Sequence, residues 1–165
     1  MNTHSATALF VLSHYDAYGS VATGTVRLLD VLNDQNTRYL KLDNVRICPR
    51  AESHALVELT STLLIKNNIQ LVVLLGEDRR SESKVFFASL ARKTIDVVVT
   101  LPTILVEGRI HTKMANDAQK YLSLEAGAFF PLTAAKIQDD ACEGGWQESP
   151  VILINKEALS SIAFK

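Results

Sequence analysis

Residues 39–47, YLKLDNVRI, match residues 129–137, FFPLTAAKI, with an aromatic residue at the start, a leucine inside and an isoleucine at the end of each segment. The two segments lie 90 positions apart. The same offset places residues 63–74, LLIKNNIQLVVL, on residues 153–164, LINKEALSSIAF, without a gap between the matched blocks. Repetition at a fixed spacing is the sequence pattern of a duplicated structural unit. The chain is therefore predicted to contain two copies of one small domain.

A third matched block lies upstream, where the register must change by six residues. Residues 22–26 then fall on residues 106–110, and Gly24 is predicted to be the equivalent of Gly108. In the downstream block, Lys66 falls on Lys156. Three blocks in the same order support a duplication that covers most of the chain.

Each copy has the periodicity of β-strands. Short apolar or β-branched runs, which are typical of strands, occur at residues 8–12, 21–29, 97–101 and 104–111. Residues 39–47 and 129–137 are each interpreted as strand, tight turn, strand. A polar turn then follows in each copy, at residues 66–68 and 155–157, and is predicted to close a β-hairpin. Five short strands in a copy can close into a small barrel, which removes exposed sheet edges.

Helical turns are predicted where strand patterns are interrupted, at residues 30–35 and 118–124. Between the copies, residues 81–93 place Phe86, Phe87, Leu90 and Ala91 on one helical face. The expected fold is mainly β: two tandem small antiparallel split β-barrels joined by a short helical connector. The expected boundaries are residues 1–77 for the first barrel, 78–95 for the connector and 96–165 for the second barrel.

Composition and charge limit the classes of function. Hydrophobic residues make up 47% of the chain and the net charge is −1, so no general positive field attracts nucleic acid or acidic membranes. The first residues contain neither a basic segment nor an apolar run long enough for a signal peptide or a membrane span. Cys48 and Cys142 form no CxxC motif and are expected to be reduced thiols. These features favour a cytoplasmic protein that forms a homo-oligomer or binds a protein partner.

The second copy resembles a bacterial family of uncharacterised small split β-barrel domains. The family's order is a glycine, Asp-x-Leu-Asn, Phe-x-x-Leu-Thr-x-Ala-x-Val and Val-x-Val-Asn-Lys. Residues 106–111, 121–123, 129–137 and 151–156 carry the likeness, and the first copy supplies the Asp-x-Leu-Asn element at residues 30–33. The second copy departs from that element, with Lys-Tyr-Leu-Ser at residues 120–123. The resemblance implies the barrel fold and no known activity.

No residue pattern predicts catalysis, a metal site or a cofactor. The histidines at positions 4, 14, 54 and 111 lack the spacing of zinc ligands. Cys48 has no local partner that would activate a thiolate, so a buried structural role is favoured. Neighbouring carboxylates at residues 77–78 and 139–140 are interpreted as solvated loop charges rather than as an acid–base pair. No catalytic residue, metal ligand or cofactor is therefore assigned, and an enzyme is the least supported class.

Two polar pairs are the candidate interaction residues. Asp30 and Asn33 resemble the acidic and asparagine signature of Sm-like RNA-binding barrels, with a spacing one residue shorter. Asn155 and Lys156 have the position of the second motif of those barrels. The alternative for Asp30 and Asn33 is helix capping, with Asp30 at the start of a short turn and Asn33 at its end.

Arg79 and Arg80 begin a locally basic stretch of the connector, which is either a solvated surface or a contact for an anion. Two functions remain open. The first is a non-enzymatic interaction or scaffold protein that presents barrel surfaces to a protein partner. The second is an Sm-like or related nucleic-acid-binding module, against which the net charge argues.

Overall fold

The structure is a computed structural model that describes residues 4–50, 52, 54, 56–77, 92–113, 117–140 and 147–165. Ten strands make up most of it: β1 (His4–Val11), β2 (Tyr15–Gly24), β3 (Tyr39–Pro49), β4 (Val57–Ile65), β5 (Leu71–Glu77), β6 (Lys93–Thr100), β7 (Ile104–Thr112), β8 (Phe129–Asp139), β9 (Gln147–Asn155) and β10 (Ser161–Phe164). The helical pieces are α1 (Leu28–Asn33), α2 (Ala118–Lys120), a π-helical turn (Tyr121–Glu125) and 3₁₀ turns at Lys66–Asn68 and Lys156–Ala158. The prediction of a mainly β protein is confirmed.

All ten strands belong to one antiparallel sheet, in the order β10-β6-β7-β8-β9-β5-β1-β2-β3-β4. Repeat 1 (β1 to β5) and repeat 2 (β6 to β10) therefore have the same internal order, with the fifth strand next to the first. The sheet continues from one repeat to the other through the pairing of β5 with β9, which we call the seam. Leu71, Val72 and Val73 pair there with Ile154, Leu153 and Ile152. The described sheet stays open, with β10 at one edge and β4 at the other.

The 90-residue match is reproduced in three dimensions. Leu42 on β3 and Leu132 on β8 are both fully buried, each in the hydrophobic cluster of its own repeat. Ile47 and Ile137 both pack at the margins of those clusters. The two pairs therefore lie at corresponding places in the strand order and burial of the two repeats.

Residues 39–47 do not form strand, turn, strand as predicted, because β3 runs unbroken past residue 47, and β8 is likewise continuous. The break in hydrophobic alternation comes from a bulge in each strand, at Asn44 with φ +53° and Ala134 with φ +48°. A bulge inserts one residue on one strand, so the side chains change face although the strand goes on.

The bulges also correct the predicted equivalence of Gly24 and Gly108. The register of β2 against β3 shifts around Gly19, and that of β7 against β8 shifts around Gly108. A Cβ on Gly19 would lie 3.0 Å from the Leu42 side chain, and one on Gly108 would lie 3.3 Å from Leu132. Gly19 is therefore the structural partner of Gly108. Gly24 instead ends β2 with φ +61° and has open space around it.

The predicted hairpins between the fourth and fifth strands are wrong. The turns exist, but β4 pairs with β3, whereas β5 pairs with β1 and β9. A 3₁₀ turn does not have to bring the next strand back beside the previous one. Here it leads from β4, next to β3, to β5, next to β1 at the other end of the repeat. Consequently β4 and β10 are left as the outer strands.

The predicted helical turns occur as α1 and as α2 with the π-helical turn. Of the expected connector, residues 93–95 belong to β6, because Lys93 already pairs with Thr112. Residues 78–91, which include the predicted apolar helix face, lie outside the described residues, as do Cys142 and Trp146. None of the described helices has the length and apolar character needed to cross a membrane.

Each repeat has its own hydrophobic cluster, and the clusters exchange residues at the seam. Phe129 and Leu153 of repeat 2 belong to the cluster of repeat 1, while Val11 and Leu71 of repeat 1 belong to the cluster of repeat 2. Successive residues of a strand face opposite sides of a sheet, so β5 and β9 each serve both clusters. Each core is completed by the other repeat.

Candidate protein-interaction edges

Apolar side chains at the outer strand β4 are exposed to solvent. Tyr39 is 58% exposed, Leu63 62% and Ile65 48%. Tyr39 pairs with Ile65 across β3 and β4, and Leu63 lies two residues from Ile65 on the same strand. We call these three residues the edge patch. Exposed apolar groups next to unpaired backbone are a hazard that proteins usually suppress with charge or proline at edge strands, and residues 60–65 (TSTLLI) contain neither.

The backbone of β4 can extend the sheet. The Lys66 N–H donates inward to the Arg38 carbonyl at 3.0 Å. Because N–H groups alternate direction along a strand, the N–H groups of Ile65 and Leu63 point outward from β3. An incoming strand would find two donors beside the edge patch.

The opposite edge is the short strand β10, which pairs with β6 from Ser161 opposite Thr100 to Phe164 opposite Val97. A 2.6 Å hydrogen bond between the hydroxyls of Thr100 and Ser161 fixes it there. Ile162 and Phe164 pack at the margin of the repeat 2 cluster and remain partly exposed. In the part of the chain that the structure describes, the sheet thus has two different open edges, both with apolar side chains.

The first candidate pair, Asp30 and Asn33, makes contacts within the fold. Asp30 is an exposed residue of α1, and its Oδ2 accepts the Arg27 N–H at 3.0 Å at the start of the helix. The capping interpretation is thus correct for Asp30. Asn33 ends α1, as the same interpretation expected. Its amide, however, pairs with the backbone of Phe129 in repeat 2, donating to the carbonyl at 3.0 Å and accepting the N–H at 2.7 Å.

The second pair is also structural. Asn155 is only 3% exposed, its Nδ2 donates to the Ile69 carbonyl at 2.8 Å, and its Oδ1 accepts the Glu157 N–H at 3.0 Å. Lys156 donates from Nζ to the carbonyls of Leu122 and Ala126 at the end of the π-helical turn. These contacts hold the seam and the helical turn in place.

Lys66 does the same in repeat 1. Its ammonium donates to the carbonyls of Val31 and Asp34 at 2.6 and 3.0 Å and to the Thr37 hydroxyl at 2.9 Å. Burial lowers the pKa of Lys66, while the nearby Asp34 carboxylate opposes that change. Cations at the carbonyl end of a helix are favourable, which gives the matched lysines of the two repeats a common physical role.

A second polar group, not anticipated from the sequence, lies where the repeats meet. Arg50 follows β3 and is 6% exposed. Its guanidinium donates to Asp139 Oδ2 at 2.5 Å and to the Thr103 hydroxyl at 2.6 Å. Asp16 lies on the other side, with Oδ1 3.9 Å from Arg50 Nε. These four residues form the junction cluster, whose carboxylates come from different repeats.

Asp16 is the electrostatically unusual member of the junction cluster. Burial raises its pKa from 3.8 to about 6; the Arg50 guanidinium opposes the rise and the Asp139 carboxylate adds to it. Its Oδ1 is buried and accepts no hydrogen bond within the described part of the chain. The arrangement couples protonation of Asp16 to the contact between the repeats. A pattern search misses it because Asp16 and Asp139 are far apart in sequence.

Arg79 and Arg80 lie outside the described residues. Within the described ranges, no three His, Cys, Asp or Glu side chains come together as a metal site would require. Cys48 is buried and unpaired with another cysteine, as a structural role predicts. Two surface depressions are open to solvent, one beside α2 and one between β6, β7 and β8.

Comparison with known proteins gives no relative for this chain. No protein-family profile, no curated protein and no solved structure matches it. The geometry of the two sheet edges is therefore the basis for inferring a function.

Proposed function

We propose that this is a non-enzymatic interaction or scaffold protein that recruits a protein partner by adding a strand of that partner to its open sheet. In this proposal each repeat acts as a small split β-barrel, related to the uncharacterised bacterial domains that its motifs resemble, and it works in the cytoplasm. The observation that carries the proposal is the edge patch beside outward-pointing N–H groups on β4. In strand addition, main-chain hydrogen bonds provide affinity and alternate side-chain positions provide specificity.

The edge patch fits an extended, apolar partner strand. Tyr39, Leu63 and Ile65 form one continuous apolar surface, and β4 offers backbone pairing along the same line. Covering each of these side chains contributes about 1–2 kcal/mol, given that each is about half exposed. Hydrogen bonds from Leu63 and Ile65 would set the register of the partner strand.

The Sm-like alternative receives no support from the structure. Its four candidate side chains are engaged in the contacts described above, and the Asn155 side chain is buried. The net charge of −1 also works against backbone phosphate binding.

The proposal can be tested by selecting peptides from a random library displayed on phage, with the intact protein as bait. We expect extended peptides with alternating apolar residues. Binding should slow hydrogen exchange at the amides of Leu63 and Ile65 and should be lost in Leu63→Glu. Leu75→Glu is the matched control, because Leu75 is 56% exposed on β5, in the interior of the sheet order. Peptides that bind both variants equally, or that leave the Leu63 and Ile65 amides unprotected, would refute strand addition at β4.

A further inference from the structure

The seam shows how an edge like β4 is covered within this molecule. Repeat 2 presents β9, the equivalent of β4, and repeat 1 covers it with β5, the equivalent of β10. The consequence is visible at matched positions of the two repeats. Leu153 is 3% exposed and its equivalent Leu63 62%; Phe129 is 3% exposed and its equivalent Tyr39 58%. The difference at each position is the presence of the neighbouring repeat.

The other outer strand, β10, and the turn before it are also less covered than their equivalents in repeat 1. Ile69 and Val72 of repeat 1 are completely buried at the seam. Their equivalents in repeat 2, Leu159 and Ile162, are only partly buried at the margin of its cluster. Among the described residues, β4 thus lacks the strand that covers β9, and β10 lacks the strand that completes β5.

We propose that the chain assembles head to tail with further copies of itself, with β10 of one copy adding antiparallel to β4 of the next and reproducing the seam between molecules. This inference rests on the proposed function and names the partner strand at the β4 edge. The seam register, Val72 opposite Leu153 and Leu71 opposite Ile154, transfers directly through the 90-residue offset. It places Ile162 opposite Leu63 and Ser161 opposite Leu64.

The backbone contacts transfer in the same way. At the seam, the Asn155 N–H donates to the Gln70 carbonyl at 3.0 Å. The equivalent bond runs from the outward N–H of Ile65 to the Ser160 carbonyl of the neighbouring copy. The Ile65 side chain then meets Leu159 where the Asn155 side chain meets Ile69, so the intermolecular contact is more apolar than the seam. Tyr39 is covered by the helical turns of the neighbour, as the Phe129 side chain is buried in the repeat 1 cluster that includes Leu28 and Leu32 of α1.

The two joined surfaces are different, so the contact is heterologous. Such contacts propagate and give a closed ring when the rotation between copies closes and an open fibre when it does not. A single sheet would then run through every copy, with two five-stranded units from each chain.

The test is the mass of the intact protein in solution, measured by sedimentation velocity over a range of micromolar concentrations. Wild type is expected to exceed the mass of one chain. Leu63→Glu and Ile162→Lys should each lower the apparent affinity about a hundredfold or more, because each places a charge in an apolar contact. Leu75→Glu should assemble like wild type. Circular dichroism melts of each variant check that the single chain remains folded.

Mixing the two defective variants gives the sharper result. Each variant keeps one unchanged edge: β10 in Leu63→Glu and β4 in Ile162→Lys. These two unchanged edges should pair and give mixed dimers. At the remaining contact, the introduced carboxylate and the introduced ammonium lie opposite each other and should extend the assembly, since opposite charges across a strand pair attract. A symmetric β4-to-β4 contact would instead leave Ile162→Lys fully assembled, and that outcome would overturn the proposal.

Hydrogen exchange provides a readout that needs no variant. The Leu63 and Ile65 amides of wild type should become protected as concentration rises. A wild type of single-chain mass at all concentrations, with those amides unprotected, would overturn self-assembly. If library peptides still bind in that case, strand addition at β4 survives with another partner. If they also fail to bind, the proposed function falls as well.

Discussion

Replacing Asp16 by asparagine is expected to stabilise the protein at neutral pH. The folded protein binds the proton of Asp16 more tightly than the unfolded chain does, because burial raises the pKa of Asp16 from 3.8 to about 6. Stability from this group is therefore fully present below pH 3.8 and is lost as the pH rises through 6. At pH 7 the folded protein contains an ionised, poorly solvated carboxylate that asparagine replaces with a neutral group of similar shape.

The magnitude follows from the same values. A pKa displaced from 3.8 to about 6 corresponds to about 3 kcal/mol in the relative stability of the two protonation states. The Asp16 side chain keeps 16% of its surface exposed, and solvent screening lowers the effect. We expect Asp16→Asn to raise the free energy of unfolding by about 1–2 kcal/mol at pH 7, with the advantage disappearing between pH 6 and pH 4.

Urea unfolding at a series of pH values from 4 to 7.5 provides the measurement, with wild type and variant compared at each pH. The difference between the two proteins removes the contributions of all other carboxylates. Asp140→Asn is the control, because Asp140 is an exposed carboxylate at the same junction. A difference that stays constant with pH, or that grows as the pH falls, would show that Asp16 is not destabilised by burial.

Two further stability predictions concern the core and the junction. Leu42→Ala and Leu132→Ala should each lower the free energy of unfolding by about 2–5 kcal/mol, because both leucines are fully buried. Denaturant melts test this, and a loss below about 0.5 kcal/mol at either site would contradict the equivalence of the two cores. Arg50→Met should cost about 3–5 kcal/mol, since it leaves Asp16 and Asp139 without their shared cation. Arg109→Met removes an exposed ion pair with Asp96 and should cost under about 1 kcal/mol; equal losses for the two arginine variants would contradict the role given to Arg50.

Local sequence patterns identified several strands but not their partners. Short apolar or β-branched runs predicted parts of β1, β6 and β7 because burial of strand side chains leaves a local signal, whereas the run at residues 21–29 continues past the end of β2 at Gly24 into α1. The pairing of β5 with β1 and β9 depends on contacts far apart in sequence, so the 3₁₀ turn before β5 was interpreted as a hairpin. The Lys66–Lys156 match held because both lysines cap a helical turn.

The same limit applies to the candidate site. Asn33 was recognised as a helix end, but its contact with Phe129 in the other repeat has no local signal. Gly24 was matched with Gly108 because both are glycines near strands, whereas the physical requirement, close approach to a leucine beside a bulge, selects Gly19. The exposure of the edge patch cannot be predicted from the sequence for a related reason. Leu63 and Leu153 occupy matched positions in the sequence and differ only in whether a neighbouring strand covers them.

The exchange of side chains at the seam has a consequence for synthesis on the ribosome. When the first 77 residues have emerged, β5 has no β9 beside it, and the core that Phe129 and Leu153 complete is open to water. Until most of repeat 2 has been translated, repeat 1 has two unpaired outer strands, β4 and β5, where the folded chain leaves only β4 unpaired among its described strands. The new chain is thus most prone to aggregate with other chains before repeat 2 has been synthesised. That aggregation would use the same kind of strand pairing that later forms the seam.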